Sequence, residues 1–182
     1  FRLTPVGVHF GDGPGVTSED PFFGGAGPAR TGCTHCGECM TGCRHNAKNT
    51  LLKNYLYLAE KAGTQVVAEY TVTGIAQQAD GRWQVSARPS TWGRSRQFTA
   101  NDVVIAAGTF NSQRLLHSLK ASTLPRISDR LGYLSRTNSE ALVGSIMPTT
   151  NPDFSKGVAI TSSFHPDDVT HVEPVRYGKG SN

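Results

Sequence analysis

Four cysteines, the only ones in the chain, lie close together at Cys33, Cys36, Cys39 and Cys43. Their spacing is C-x2-C-x2-C-x3-C, within the sequence GCTHCGECMTGC that begins at Gly32. A short loop with so many thiols has few ways to fold. The side chains bind a metal, form disulfides, or pack together as small hydrophobic groups.

The cysteine spacing separates these cases. Disulfides are least favoured, because cysteines three residues apart bridge with difficulty and a single short loop would staple a chain of 182 residues poorly. Zinc usually takes two separated pairs of ligands, whereas one continuous loop with this spacing matches the iron–sulfur pattern of bacterial ferredoxins. Arg44 replaces the proline of that pattern, and no second cysteine motif follows. His35 and His45 are alternative ligands, and a set of packed, reduced thiols remains the competing interpretation.

Composition and charge exclude other classes of protein. Twenty glycines and ten prolines are more than a helical bundle would use, so they favour a loop-rich mixed fold. The net charge of +4 comes without a Lys/Arg-rich run or interleaved aromatic residues, which predicts no nucleic-acid partner. No apolar segment approaches about 20 residues, so no transmembrane segment is expected. The chain begins at Phe1 rather than Met, and we expect an internal fragment of a longer parent chain.

Two segments predict helices. Residues 46–63 place leucine, tyrosine and alanine side chains on one apolar face, and Gly63 is positioned to end that helix. A second helix is expected after Gly108, with Leu115, Leu116 and Leu119 facing inward. It follows a short apolar segment, residues 103–107, which predicts a buried parallel strand.

The remaining patterns predict strands. Residues 64–78 and 82–88 are expected to form a hairpin around the turn at Asp80 and Gly81. Residues 157–166 and 170–177 show the partial alternation of antiparallel strands. The fold class is therefore α/β elements plus an antiparallel sheet, an α+β arrangement.

Three stretches resemble the glucose–methanol–choline (GMC) flavin oxidoreductases, most closely their bacterial cholesterol oxidase-like branch. They are RTGCTHCGECMTGCRHNAKNTLLKNYLYLAEKAG, VVIAAGTFNSQRLL and RTNSEALVG, in the family's order. The resemblance extends from Phe22 to Tyr177 and implies an FAD-binding domain interleaved with a substrate domain built on an antiparallel sheet. It also implies that the G-x-G-x-x-G segment and the catalytic His and Asn of the family lie outside this chain. The fragment alone should therefore be inactive.

The same resemblance implies three regions. Residues 1–64 would be a loop-rich segment with the cysteine loop and a helix. Residues 65–122 would be part of the FAD-binding domain, with a β-hairpin and a βα turn. Residues 123–182 would begin the antiparallel sheet of the substrate domain.

Site residues follow from the resemblance one by one. Val72 lies in the strand that contacts the adenine of FAD, and Asn138 with Ser139 lies in the loop that reaches the isoalloxazine. The small-residue turn near the ADP moiety is Ala106, Ala107 and Gly108. In open α/β sheets cofactors lie at such strand ends, although an ordinary βα packing turn is the alternative.

Glu173 is implied as the catalytic carboxylate that moves a proton of the steroid from C4 to C6, shifting the double bond after oxidation. Desolvation beside an apolar sterol would raise the pKa of such a base into a useful range. The alternative is a surface carboxylate paired with Arg176.

The implied function is oxidation of a 3β-hydroxysteroid such as cholesterol, or another alcohol, to the ketone by hydride transfer to FAD. Dioxygen or another electron acceptor would reoxidise the flavin. The competing interpretations are an iron–sulfur electron-transfer module, an FAD dehydrogenase with an accessory iron–sulfur cluster, and a non-catalytic sterol-binding remnant. The reduced cysteines favour a cytoplasmic or membrane-associated protein.

Overall fold

The computed structural model describes residues 1–149 and 151–180. These residues form two compact units. The first combines Phe1–Gln65 with the described part of Ser145–Asn182, and the second is Val66–Gly144.

Both units contain short elements joined by long irregular segments. The strands are β1 Arg2–Leu3, β2 Thr17–Ser18, β3 Arg30–Thr31, β4 Tyr70–Gln77, β5 Trp83–Pro89, β6 Arg96–Ala100 and β7 Ser162–Ser163. The α-helices are α1 Tyr55–Lys61 and α2 Gly108–Lys120, and a 3₁₀ turn covers Leu51–Lys53. In the described part of the chain, no helix has both the length and the apolar character needed to cross a bilayer.

The second unit is built on a three-stranded antiparallel sheet in the order β4–β5–β6. The predicted hairpin is confirmed: Gln77 pairs with Trp83, and the turn between them places Gly81 at a φ of 85°, a conformation that favours glycine. The N–H of Gln78 donates to the carbonyl of Arg82 at 2.8 Å and closes the turn. The sheet continues into β6, a strand that the sequence patterns did not predict.

Helix α2 lies against β4 and buries its apolar side there. Leu119 on the helix is 1% exposed and Ile75 on the strand is 4% exposed, which makes these two residues the centre of the unit's small core. Leu115 and Leu116 are half-buried. The predicted helix after the small-residue turn is therefore confirmed.

Residues 103–107 do not form the strand that their sequence predicts. They have no regular secondary structure, and Val104 is 88% exposed. A parallel strand needs a parallel neighbour, and the described residues supply none for this segment.

The first unit holds two strand pairs, β1 with β7 and β2 with β3, both antiparallel. Single antiparallel bridges join Ile160 to Val175 and Phe164 to Val172, so the pairing expected between residues 157–166 and 170–177 is present in short form.

Helix α1 is shorter than its sequence pattern. Asn54 has a non-helical backbone, and its side chain accepts a hydrogen bond from the N–H of Tyr55, so the helix begins there. Leu51 and Leu52 are 64% and 65% exposed. The apolar face predicted for this region is therefore exposed to solvent at these two residues. The predicted end is confirmed, because Gly63 follows the last turn at a φ of 97°.

Candidate functional site

All four cysteines line one small cavity of the first unit. Cys33 is buried, the other three are half-buried, and all four are free thiols. Cys33 packs with Ala47 and Val158 in a small apolar core, and Val8, Cys39 and Cys43 pack against it. The structure therefore brings together the whole cysteine set that the sequence singled out, and it does so without disulfides.

Backbone contacts on both sides fix the start of the cysteine loop. The N–H of Cys33 donates to the carbonyl of His9 at 2.9 Å, and the N–H of Gly32 donates to the carbonyl of Val16 at 2.8 Å. Gly32 allows a close approach, because a Cβ there would lie 2.0 Å from the carbonyl oxygen of Gly13. Further along the loop, the N–H of Gly157 donates to the carbonyl of His35 at 2.8 Å.

Arg30, three residues before Cys33, is fully buried at 0% exposure. Its guanidinium donates to the carbonyls of Asn46 and Ala47 at 3.3 Å and 3.0 Å and to the side-chain oxygen of Asn49 at 3.1 Å. It also lies 5.3 Å from the centroid of the Phe22 ring. A buried cation thus joins the two chain segments that flank the cysteine loop.

Two of the thiols differ in electrostatic environment. Burial raises the pKa of the Cys33 thiol above its ordinary value. Burial would also raise the pKa of Cys43, but backbone N–H groups of Lys48, Ala47 and His45 together with the Lys48 ammonium outweigh it and lower that pKa. A thiolate is therefore easier to form at Cys43 than at Cys33.

Glu173 lies in the same unit, half-buried, with one carboxylate oxygen 3.3 Å from Nε2 of His171. The ring of His171 stacks on His165, with centroids 4.6 Å apart. Arg176, the partner expected for a purely structural Glu173, donates instead to the carbonyl of Lys156. Within the described residues, the side chain that contacts the Glu173 carboxylate is therefore His171.

The two histidines were missed by the sequence analysis. The signal was present, because residues i and i+2 of an extended segment lie on one face, and His171 and Glu173 have that spacing. His165 could not have been found this way, since it reaches the pair only through tertiary folding.

The second unit holds the remaining expected residues. Val72 is on β4, just before a shift of register between Val72 and Gly74. Ala106 and Ala107 lead into α2, which begins at Gly108 with a φ of 73°. These three residues are exposed, and the N–H of Ala107 donates to the Ser112 hydroxyl at 3.2 Å.

The last expected pair lies in an irregular, exposed segment. The amide of Asn138 donates to the Glu140 carboxylate at 2.6 Å, and Ser139 has a φ of 54°. In residues 66–144, all of them described, no hydrogen bond joins this pair to Val72 or to the turn before α2.

Residues 28–131 match the family model described as GMC oxidoreductase. The chain is 58% identical over 98% of its length to a protein named cholesterol oxidase from Mycobacterium tuberculosis strain H37Rv. It is 44% identical over its whole length to another of that name from Acinetobacter baumannii.

No solved structure matches the chain significantly. The chain spans about a third of the length of these curated relatives, 33% and 35% respectively. The family model nevertheless covers more than half of the chain, from the residues before the cysteine loop to the end of the segment after α2. The chain therefore belongs to the GMC oxidoreductase family.

Proposed function

We propose that this chain is part of an FAD-dependent sterol oxidase that converts a 3β-hydroxysteroid such as cholesterol to the ketone. One observation carries the proposal: 58% identity over 98% of the chain to a protein named cholesterol oxidase. The 44% identity to a second protein of that name, from Acinetobacter baumannii, supports it. In the oxidation the alcohol loses a hydride and a proton, and bound FAD supplies the hydride acceptor, which dioxygen or another acceptor reoxidises.

The turn at Ala106, Ala107 and Gly108 is suited to hold the ADP part of FAD. All three side chains are small, and a Cβ added at Gly108 would meet nothing within 4 Å, so the backbone is open to a close ligand. The first N–H groups of α2 lie beside it, and helix N-termini favour anionic phosphate groups. Val72 would contact the adenine beside the register shift of β4, where an irregularity interrupts the regular pairing with β5.

Asn138 and Ser139 would reach the isoalloxazine ring from their exposed segment. The φ of 54° at Ser139 turns the chain sharply, and such conformations concentrate at ligand sites. The amide of Asn138 remains able to accept through its oxygen while its nitrogen donates to Glu140.

Glu173 is proposed as the base of the second reaction, the shift of the double bond. Its carboxylate would take a proton from C4 of the ketosteroid and return it at C6. His171 contacts one carboxylate oxygen at 3.3 Å, which orients the group and leaves the other oxygen for the proton.

The oxidase proposal is tested with the full-length protein, produced from its complete gene. We expect bound flavin, conversion of cholesterol to a 3-ketosteroid, and consumption of oxygen or of an added acceptor in equal amount. A straight-chain primary alcohol serves as the control substrate and should turn over poorly. Efficient turnover of that alcohol with none of any sterol would contradict the proposal.

The role of Glu173 is tested by Glu173→Gln in the same protein. Double-bond isomerisation should slow about 100-fold or more, because general acid–base catalysis contributes about 10²–10⁴-fold, whereas alcohol oxidation should change far less. Separate assays of the 5-ene and 4-ene ketones measure the two steps. Asp168→Asn, an exposed carboxylate in the same segment, is the matched control. Unchanged isomerisation in Glu173→Gln would remove this residue from the mechanism.

A further inference from the structure

The flavin chemistry proposed above makes no use of the cysteine loop. Its four free thiols come from a single loop and line the same small space. In two-cluster ferredoxins with this spacing, the fourth cysteine serves the other cluster. Here Cys43 lines the cavity together with Cys33, Cys36 and Cys39, so the fourth thiol is available to the same ligand as the first three.

The separation of the thiols distinguishes a cluster from a single ion. Tetrahedral zinc with Zn–S bonds of about 2.3 Å holds its sulfur ligands about 3.8 Å apart. Among the described residues, only Cys36, Glu38 and His45 form a trio of potential ligand atoms that lie within 4.8 Å of one another. No three of the four sulfurs are therefore close enough for one zinc ion. A cubane cluster presents a separate iron atom to each cysteine and suits a wider set.

Hydrophobic packing explains only part of this arrangement. Cys33, at 6% exposure, behaves as a core residue beside Ala47 and Val158. The other three thiols are half-buried and face the same cavity, where an aliphatic side chain would pack as well. All four cysteines line the same cavity, an arrangement that suits a common ligand.

Hydrogen bonds and charge around the loop fit an anionic sulfur-bound group. The backbone N–H of His35 donates to Sγ of Cys33 at 3.4 Å, and that of Lys48 donates to Sγ of Cys43 at 3.5 Å. The Lys48 ammonium donates to the carbonyl of Cys39 at 2.7 Å. N–H···S bonds and nearby cations stabilise iron–sulfur clusters, whose thiolate ligands make them net negative.

We propose that Cys33, Cys36, Cys39 and Cys43 bind one [4Fe–4S] cluster in the folded protein. Arg44, which takes the place of the usual proline, does not oppose this, because its side chain turns back to Glu38 at 3.4 Å, at the surface of the loop. The cluster is an accessory centre in an enzyme whose alcohol chemistry belongs to the flavin. The proposal does not depend on the identity of the alcohol.

The direct test is the metal content of the full-length protein purified without oxygen. We expect about four iron atoms and four acid-labile sulfides per chain, and an electron paramagnetic resonance signal after reduction with dithionite. Zinc in place of iron, or metal-free thiols after chemical reconstitution with iron and sulfide, would overturn the proposal. This measurement needs no variant, so a folding defect cannot obscure it.

Variants then identify the ligands. Cys36→Ala and Cys43→Ala should each lower bound iron at least several-fold, whereas Met40→Leu, an exposed change in the same loop, should leave it unchanged. Glu38→Gln and His45→Gln should also retain iron. Loss of iron in these two variants together with Cys36→Ala, but not in Cys43→Ala, would replace the cluster with a mononuclear site at the Cys36, Glu38 and His45 trio.

The outcomes also separate this proposal from the proposed oxidase function. Iron and sulfide in a protein without flavin would support the cluster and contradict the oxidase. Flavin and sterol oxidation in a protein with four metal-free thiols would support the oxidase and contradict the cluster.

Discussion

At the scale of single residues, Asp20 gives the glycine-rich stretch at residues 22–27 a structural role. Its carboxylate accepts hydrogen bonds from the backbone N–H groups of Phe22, Phe23, Gly25 and Gly27, with distances between 2.9 and 3.1 Å. A Cβ at Gly27 would lie 2.8 Å from that carboxylate. The backbone that surrounds an anion in phosphate loops here surrounds a side chain of the same protein.

These bonds make the stability contributed by Asp20 dependent on pH. Partial burial would raise its pKa, but the four N–H groups outweigh that effect and hold the pKa below its ordinary value. A carboxyl group with a depressed folded pKa contributes stability that is present above its unfolded pKa of about 3.9 and is lost as pH falls through the folded pKa.

We therefore expect Asp20→Asn to lower the unfolding temperature of the full-length protein at pH 7. The difference from the unsubstituted protein should shrink as pH falls below about 4, because the carboxyl then becomes neutral as well. Thermal unfolding followed by circular dichroism across this pH range measures it, with the exposed Glu60→Gln as control. A difference that stays constant with pH would show that the carboxylate charge contributes nothing.

At the scale of elements, the sequence predicted those turns and helices whose formation depends on neighbouring residues. The hairpin turn at Asp80 and Gly81 and the leucines of α2 were found because turn chemistry and helical spacing act over a few residues. Strand β6 was missed because four of its five residues are exposed and it has no buried face to show alternation. It exists through its pairing with β5, which is information from elsewhere in the chain.

In the candidate site, too, features within one short segment were predictable from the sequence, and contacts between distant segments were not. The cysteine set was visible in the sequence because all its members lie in one loop. The cavity that holds them also needs Val8 and Gly157, and no periodicity connects those residues to the loop. The contact between Glu173 and His171 lies within reach of a spacing argument, whereas the stacking of His165 does not.

Other backbone segments approach the cysteine loop closely, and one such contact lies at a glycine. Gly37 has a φ of 76°, and a Cβ there would lie 2.1 Å from the carbonyl oxygen of Ser155. Gly42, in the same loop, has a φ of 110° with nothing within 4 Å. The two positions share a conformation that disfavours side chains but differ in the space around them.

Gly37→Ala should therefore destabilise the full-length protein by about 2 kcal/mol more than Gly42→Ala, because only the former adds a steric overlap to the backbone strain. Chemical denaturation of both variants under identical conditions gives the difference in free energy of unfolding. Equal effects would mean that the segment containing Ser155 does not approach the loop as described.

At the scale of the whole molecule, large apolar side chains remain exposed in the second unit. Val104, Phe110, Leu142 and Val143 are between 75% and 95% exposed. Large apolar side chains this exposed are candidates for cover by other segments of a longer protein. Since the chain spans about a third of its relatives, we propose that residues 103–107 complete a parallel sheet in the full-length protein.

Amide hydrogen exchange tests this proposal. In the full-length protein, the amides of residues 103–107 should exchange at least 100-fold more slowly than in the 182-residue chain produced alone, because strand pairing removes them from solvent. The loop around Trp92, which is 94% exposed, should exchange quickly in both and serves as the reference. Equal, fast exchange of residues 103–107 in the two proteins would rule out the parallel strand.

The buried Arg30 reduces the conformational entropy of the cysteine loop. By bonding to Ala47, it closes a ring whose ends lie 17 positions apart and which contains every cysteine of the chain. Closing a flexible segment of this length costs about 2.5 kcal/mol in chain entropy beyond a constant. That loss is incurred when the guanidinium docks, before any ligand arrives. A cluster bound as proposed would therefore find the cysteine loop already closed, and less of the free energy of its bonds to sulfur would be spent on ordering that loop.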